Sequence, residues 1–242
     1  MDSIFKMESK KRITLQSDEV HIWSASLLDN EIDINYFISI LSQDEYERAN
    51  NFKFPKNKKQ FTIARGILRC LLANYLGVSP QSIKIAYGLW GKPCLSQEGL
   101  LHFNVSHSGD YALYAFTLNF EVGIDIEHIN NTLNLEDIAL SIFSPAELLY
   151  WRNLNHQEQI NYFFNFWVCK EAFLKALGKE WLEKETKILF TEFYNFKKNL
   201  RSRDLKDEPT YPYCIDLLPG YASAIFIDGP FLRLLHYDWN KY

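Results

Sequence analysis

The chain has 242 residues, of which 47% are apolar, 16% aromatic and 23% charged, with a formal net charge of −4 and a pI near 5.9. That aromatic content excludes disorder over most of the length, and the mild acidity excludes a general nucleic-acid or anionic-membrane binder, so any anion site has to be local. Cys70, Cys94, Cys169 and Cys214 form no C-x-x-C pair and no zinc spacing, which reads as reduced thiols; with no signal-peptide pattern and no apolar run of bilayer length, the expected location is cytoplasmic.

Residues up to Thr14, with Lys6, Lys10, Lys11 and Arg12, read as a loose polar tail. Residues 20–27 alternate as a first strand. Ser42-Gln43-Asp44-Glu45 is a capping box and predicts a helix running toward Asn50. A second helix is predicted over 59–75, because Phe61, Ala64, Ile67, Leu68, Leu71 and Leu72 recur at helical spacing before Gly77, with Arg65 and Arg69 on its other face. Residues 82–87 alternate as a strand, 89–93 form a turn, and 111–116 read as a buried strand. In Val122-Gly123-Ile124-Asp125-Ile126-Glu127 the period of two puts the carboxylates on one face and the isoleucines on the other. Ser144-Pro145-Ala146-Glu147 is a second capping box, with proline at the first helical position and Phe143 and Leu148 as a hydrophobic staple. A long helix through Trp167, Glu171 and Lys175 stops at Gly178, and the charged stretch 195–212 reads as a mobile loop.

The order of elements repeats. Val122 follows Val20 and Ser144 follows Ser42 by the same 102 positions (122 − 20 and 144 − 42). Arg65 to Arg69 aligns with Glu171 to Lys175 at a slightly larger offset, and 111–116 matches 221–226. Each half therefore reads strand, helix, helix, strand, strand. The expected fold is a duplicated α+β protein with an N-terminal lobe over 1–118, a C-terminal lobe over 119–242, and a ligand cleft between them.

Asp125 and Glu127 stand either on the solvated face of an amphipathic strand or around a cation. If the helix through Trp167 packs on that strand, Glu171 completes a three-carboxylate cluster, which suits Mg²⁺ and suits Zn²⁺ poorly without nearby His or Cys. Glu171 and Lys175 alone would be an ordinary surface pair at four-residue spacing, and Lys170 points about a hundred degrees away. Lys175 beside a metal would neutralise a phosphate. Ser106, His107 and Ser108 precede a turn and make a reasonable phosphate cradle, whereas Ser-His without a nearby acid is a weak sign of a hydrolase. Lys92, Arg48, Lys56, Lys58, Lys59 and Arg65 either add positive charge to that cradle or are solvated surface.

Three blocks together resemble the 4′-phosphopantetheinyl transferases, in the large duplicated form named after the surfactin-synthetase enzyme. They are Gly91-Lys92-Pro93 followed by Phe103-Asn104-Val105-Ser106-His107-Ser108, then Gly123-Ile124-Asp125-Ile126-Glu127, then Phe166-Trp167-x-x-Lys170-Glu171-Ala172-x-x-Lys175-x-x-Gly178. The resemblance implies two α+β lobes related by a pseudo-twofold axis. It also implies Mg²⁺, coenzyme A as co-substrate, and transfer of the phosphopantetheine arm to a serine of an apo acyl or peptidyl carrier protein, leaving adenosine 3′,5′-bisphosphate. Carried over residue by residue, Asp125, Glu127 and Glu171 hold Mg²⁺. Ser106, His107, Lys92 and Lys175 contact the coenzyme A phosphates, joined by Arg48 and Arg65 from the first lobe. Glu171, acting directly or through a water, is the candidate base, with Asp125 beside it. The implied protein is a monomer with no nucleic-acid or membrane partner, serving fatty-acid, polyketide or nonribosomal-peptide synthesis. The competing readings are a Mg²⁺-dependent phosphodiester or pyrophosphate hydrolase and a non-catalytic carrier-protein binder.

Overall fold

Alternating and helical hydrophobic patterns produce three small β-sheets and six α-helices among the described residues, a mixed α+β architecture. The computed structural model describes residues 12–28, 33–96, 99–178, 212–230 and 233–242. In chain order these hold β1 (Glu19–Ser26), α1 (Ile34–Ile40), α2 (Gln43–Asn50), α3 (Pro55–Leu76), the hairpin β2 (Ile85–Tyr87) and β3 (Pro93–Leu95), β4 (Leu101–Ser108), β5 (Tyr111–Leu118) and β6 (Glu121–His128). There follow α4 (Leu135–Ile142), α5 (Pro145–Arg152), α6 (His156–Leu177), β7 (Tyr213–Cys214), β8 (Tyr221–Asp228) and β9 (Arg233–Asp238).

Local signals set the helix ends. Both expected capping boxes form, Glu45 accepting from the Ser42 amide at 3.0 Å and Glu147 from the Ser144 amide at 2.7 Å. A third box, Asn155 with Glu158, starts α6. Gly77 and Gly178 end the two long helices with φ of 69° and 61°, values a residue with a Cβ adopts only at a cost. Helix α3 begins at Pro55, ahead of the expected 59, because proline needs no N–H partner in the first turn. The expected strand over 82–87 shortens to β2, since Pro80–Ser82 forms a 3₁₀ turn. Two short helices, α1 and α4, were not anticipated, so both halves run strand, three helices, then strands. The tail is anchored from Ile13, whose amide donates to Asn74 Oδ1 at 2.7 Å; residues 1–11 and 195–211 lie outside the described residues.

The four-stranded sheet has the order β4-β5-β1-β9, and the three-stranded sheet has the order β6-β8-β7. Strand β1 pairs antiparallel with β5 and β6 pairs antiparallel with β8. The last strand, β9, returns to pair in parallel with β1, Glu19 opposite Arg233. Val20, Ile22, Leu113 and Ala115 of one sheet pack on Val122, Ile124, Ile126, Ile225 and Ile227 of the other, in a fully buried apolar cluster. At about 1.5–3 kcal/mol for each large aliphatic side chain, this layer fixes which face of β6 turns inward.

The opposite face of β6 lies against α6. Gly123 makes that approach possible: a Cβ there would meet the carbonyl oxygen of Ala172 at 1.9 Å and the amide nitrogen of Ala176 at 2.5 Å. The strand and the helix that carry the sequence's acidic residues are thus in backbone contact.

Candidate active site

Period two on β6 sends Asp125 and Glu127 to the face that Gly123 opens for α6, and a four-residue spacing on α6 sends Trp167, Glu171 and Lys175 to meet them. All five line a cavity of about 560 Å³ that also receives Ser106 and His107 from β4, Arg48 from α2, and Phe61 and Arg65 from α3. Tyr87, Gly91 and Pro93 of the hairpin complete that side.

Strand β4 is tied to β6 through side chains on one face. Asn104 Oδ1 accepts the Ile124 amide at 2.9 Å, the Ser106 hydroxyl donates to Asp125 Oδ1 at 2.7 Å, and the Ser108 hydroxyl donates to Glu127 Oε2 at 2.7 Å. Sequence reasoning gave these hydroxyls to a phosphate; here they hold the acids. Lys175 Nζ donates to Asp125 Oδ1 at 2.5 Å and to Ser106 Oγ at 2.9 Å. The other oxygen of Asp125, Oδ2, is buried with no hydrogen-bond partner among the described residues. Burial raises the Glu127 carboxyl above its usual pKa; Asp125 and Glu171 add to the rise, and the Ser108 hydrogen bond and Lys175 oppose it.

Asp125 is 2% exposed, so the solvated-face alternative for this residue is excluded. The expected packing of α6 on β6 holds, yet among the described residues no group of three or more His, Cys, Asp and Glu side chains is gathered closely enough to hold a metal. Asp125, Glu127 and Glu171 share a cavity wall, and an ammonium stands at Asp125. In donor chemistry they still suit a hard cation: oxygen ligands only, one oxygen orphaned by burial, and a Glu127 carboxyl whose pKa is raised first by burial and then by the charges of Asp125 and Glu171.

The other expected residues divide. Arg65 is 8% exposed and lies over the rings of Phe61 and Tyr87, its Nη1 buried without a hydrogen-bond partner among the described residues. Arg48 lies over Phe61, and its side is open to solvent, as is that of His107. Lys92 is displaced from the expected position. Gly91 and Pro93 line the cavity, but the Lys92 ammonium donates to Glu121 Oε2 at 2.5 Å and to the Ala176 carbonyl at 2.7 Å, where it also meets the negative end of α6. Lys56 pairs with Asp110 and Lys58 donates to Asn50, both at the surface. Lys170 does point away from Glu171: it is 3% exposed and donates to the Ile142 carbonyl at 2.6 Å.

Sequence reasoning missed the aromatic lining. Trp167 was legible, standing four and eight residues before Glu171 and Lys175 on one helix face. Phe61 was assigned to the core face of α3, and Tyr87 carried no signal. Asn104 could have been found from the period of two that runs through Ser106 and Ser108 on β4.

Comparison with known proteins gives two family matches. Residues 121–221 match the family model described as the 4′-phosphopantetheinyl transferase superfamily, and residues 25–118 match the one described as 4′-phosphopantetheinyl transferase, N-terminal. The chain is 44% identical over 170 residues to the 4′-phosphopantetheinyl transferase HetI of Nostoc sp., covering 69% of this chain and 71% of that protein. It is 30% identical over 201 residues to the 4′-phosphopantetheinyl transferase Sfp of Bacillus subtilis, covering 80% and 85%. It is 28% identical over 206 residues to the 4′-phosphopantetheinyl transferase gsp of Aneurinibacillus migulanus, covering 81% of each chain.

Proposed function

The chain belongs to the 4′-phosphopantetheinyl transferases, in the form that includes the surfactin-type enzymes, and from that membership we propose that it moves the phosphopantetheine arm of coenzyme A to a serine of an apo carrier protein in the presence of Mg²⁺. The observation that carries the reading is one cavity lined by both Asp125, Glu127, Glu171 and Lys175 on one side and Arg48, Arg65 and His107 on the other. Such a lining suits a polyanionic substrate that brings a cation with it.

In this reading the chain is built as two α+β lobes, 1–118 and 119–242, related by a pseudo-twofold axis with the cavity between them. The repeated element order and the two family matches, which end and begin on either side of residue 119, support it. Asp125, Glu127 and Glu171 would hold Mg²⁺, which when bound neutralises the diphosphate and stabilises charge on the leaving phosphate. Lys175, now on Asp125, neutralises a phosphate oxygen, and Lys92 would have to leave Glu121 to join it. Arg48, Arg65 and His107 fix the remaining phosphate oxygens and so hold the substrate in line with the incoming hydroxyl, while Ser106 holds Asp125 in place. Glu171 takes the carrier serine's proton as its oxygen bonds to the phosphorus bearing the pantetheine arm. The bond from that phosphorus to the bridging oxygen breaks, and adenosine 3′,5′-bisphosphate leaves with the electron pair.

The test is mass spectrometry of apo acyl and peptidyl carrier proteins incubated with the chain, coenzyme A and Mg²⁺. The expected result is the mass gain of one phosphopantetheine per carrier. Consumption of coenzyme A without a carrier would instead favour a hydrolase, and a stable carrier complex with no mass gain would favour a binder.

A further inference from the structure

Across the cavity from the carboxylates, a second buried ion network reaches the wall. Glu45, the third residue of α2, is 1% exposed. Besides capping its own helix it accepts from Arg69 Nε at 2.5 Å, and its Oε1 faces Arg65 Nε at 3.6 Å without hydrogen-bonding it. Arg69, also 1% exposed, is turned away from the cavity, its Nη1 donating to the carbonyls of Pro80 and Ile83 at 3.0 Å each. Arg65 is the arm that reaches the cavity. Two rings flank it, and its buried Nη1 has no acceptor among the described residues. An unsatisfied buried N–H costs the desolvation of that donor, so the Arg65 guanidinium is held where it is by its charged and aromatic neighbours rather than by hydrogen bonds of its own Nη1.

The second half repeats the device without the arm. Glu147, 102 positions on, caps α5 in the same way, is 4% exposed, and faces the buried ammonium of Lys170 at 3.6 Å. Neither residue lines the cavity. One copy of the motif therefore serves packing alone, and the other carries a guanidinium into the site.

We infer that Glu45 is a positioning residue for coenzyme A: buried between two arginines, it holds the Arg65 guanidinium at the cavity wall, where its charge meets a substrate phosphate. This rests on the transferase reading above. Arg69 fixes the carboxylate from behind, the carboxylate's charge attracts the near edge of Arg65, and the rings of Phe61 and Tyr87 restrict the plane of the guanidinium. Glu45 touches no substrate; it acts through Arg65.

Steady-state kinetics with coenzyme A and an apo carrier protein test this, using Glu45→Gln, Glu147→Gln, Arg65→Met and the double variant Glu45→Gln/Arg65→Met. Glu45→Gln is expected to raise KM for coenzyme A by about tenfold, the size of one misdirected charged hydrogen bond, with kcat within about threefold. Glu147→Gln should lower the melting temperature and leave KM unmoved, and Glu45→Gln should add nothing to KM once Arg65 is Met. The inference is overturned if Glu45→Gln keeps the wild-type KM, if Glu147→Gln raises KM equally, or if the two changes in the double variant multiply. Should Glu45→Gln not fold, Glu45→Asp, which keeps the charge but shortens the reach, is held to the same criteria with a smaller rise. A wild-type chain that loads no carrier removes the transferase reading and this inference with it; a wild-type chain that loads it while Glu45→Gln keeps its KM removes only the positioning role.

Discussion

Replacing Gly123 by Ala should damage both stability and turnover, through the distance between a strand and a helix. The added methyl would sit 1.9 Å from the Ala172 carbonyl oxygen and 2.5 Å from the Ala176 nitrogen. Both are backbone atoms, so no rotamer change relieves them and α6 itself must withdraw. Even a tight 3.0 Å contact requires about 1.1 Å of movement. Glu171 and Lys175 each immediately precede one of those alanines, so they retreat with the helix, and the 2.5 Å contact between Lys175 and Asp125 opens to roughly 3.6 Å, beyond hydrogen bonding. Overpacking of this kind costs about 1–3 kcal/mol, or roughly 2–12 °C in melting temperature for a chain of this size. A misplacement of about 1 Å at reacting groups costs on the order of a hundredfold in rate. Scanning calorimetry and initial rates of carrier loading by mass spectrometry read the two effects. Wild-type melting temperature together with rates within threefold of wild type would show that the contact between β6 and α6 does not set the site.

Glu171→Gln keeps the shape of the side chain but cannot accept a proton, so kcat should fall by about 10²–10⁴-fold while calorimetric affinity for coenzyme A changes little; a preserved kcat would remove Glu171 from the role of base. His107→Ala should weaken coenzyme A binding in the same calorimetric assay, and an unchanged dissociation constant would take it out of the phosphate contacts. His21 gives a pH dependence unrelated to catalysis. It is 1% exposed, and burial depresses its imidazole below the usual 6.5 despite the hydrogen bond to Glu19. The unfolded chain therefore takes up this proton more readily, so the stabilisation is present above pH 6.5 and lost as pH falls through the depressed value. Urea melts across that range should show a shallower loss for His21→Gln than for wild type, and equal slopes would refute the assignment.

Signals that act within a few residues were readable in the sequence. The capping glutamates, the glycine stops and the two-residue period of β6 each bring their own hydrogen bond or steric reason, and the structure keeps all of them. What could not be read depends on long-range closure. Strand β9 finds β1 across more than two hundred positions, and nothing in residues 233–238 names its partner. Lys92 stands in a recognisable tripeptide, yet the reach of a lysine arm is decided by the C-terminal turn of α6, which the tripeptide does not encode. Arg65 and Arg69 looked alike on one helix face. Only the depth of Glu45 separates them, pairing closely with the buried Arg69 while Arg65 lines the cavity.

That separation bears on how the two walls should fail. The wall built by α2 and α3 offers the Arg65 guanidinium, whose counter-charge Glu45 lies behind it, so its effect is the same before and after bond breaking, and its loss should appear in KM. The wall built by β6 and α6 concentrates carboxylates against one ammonium and leaves Asp125 Oδ2 buried without a hydrogen-bond partner among the described residues. Charge redistribution on a departing phosphate acts on that imbalance, so loss there should appear in kcat. In the two-lobed transferase reading, one half of the site would thus supply fixed charge and the other charge that is free to respond. If variants at Arg65 changed kcat as strongly as variants at Glu171, with KM unmoved in both, this division of labour would be wrong even with every assigned residue in the cavity.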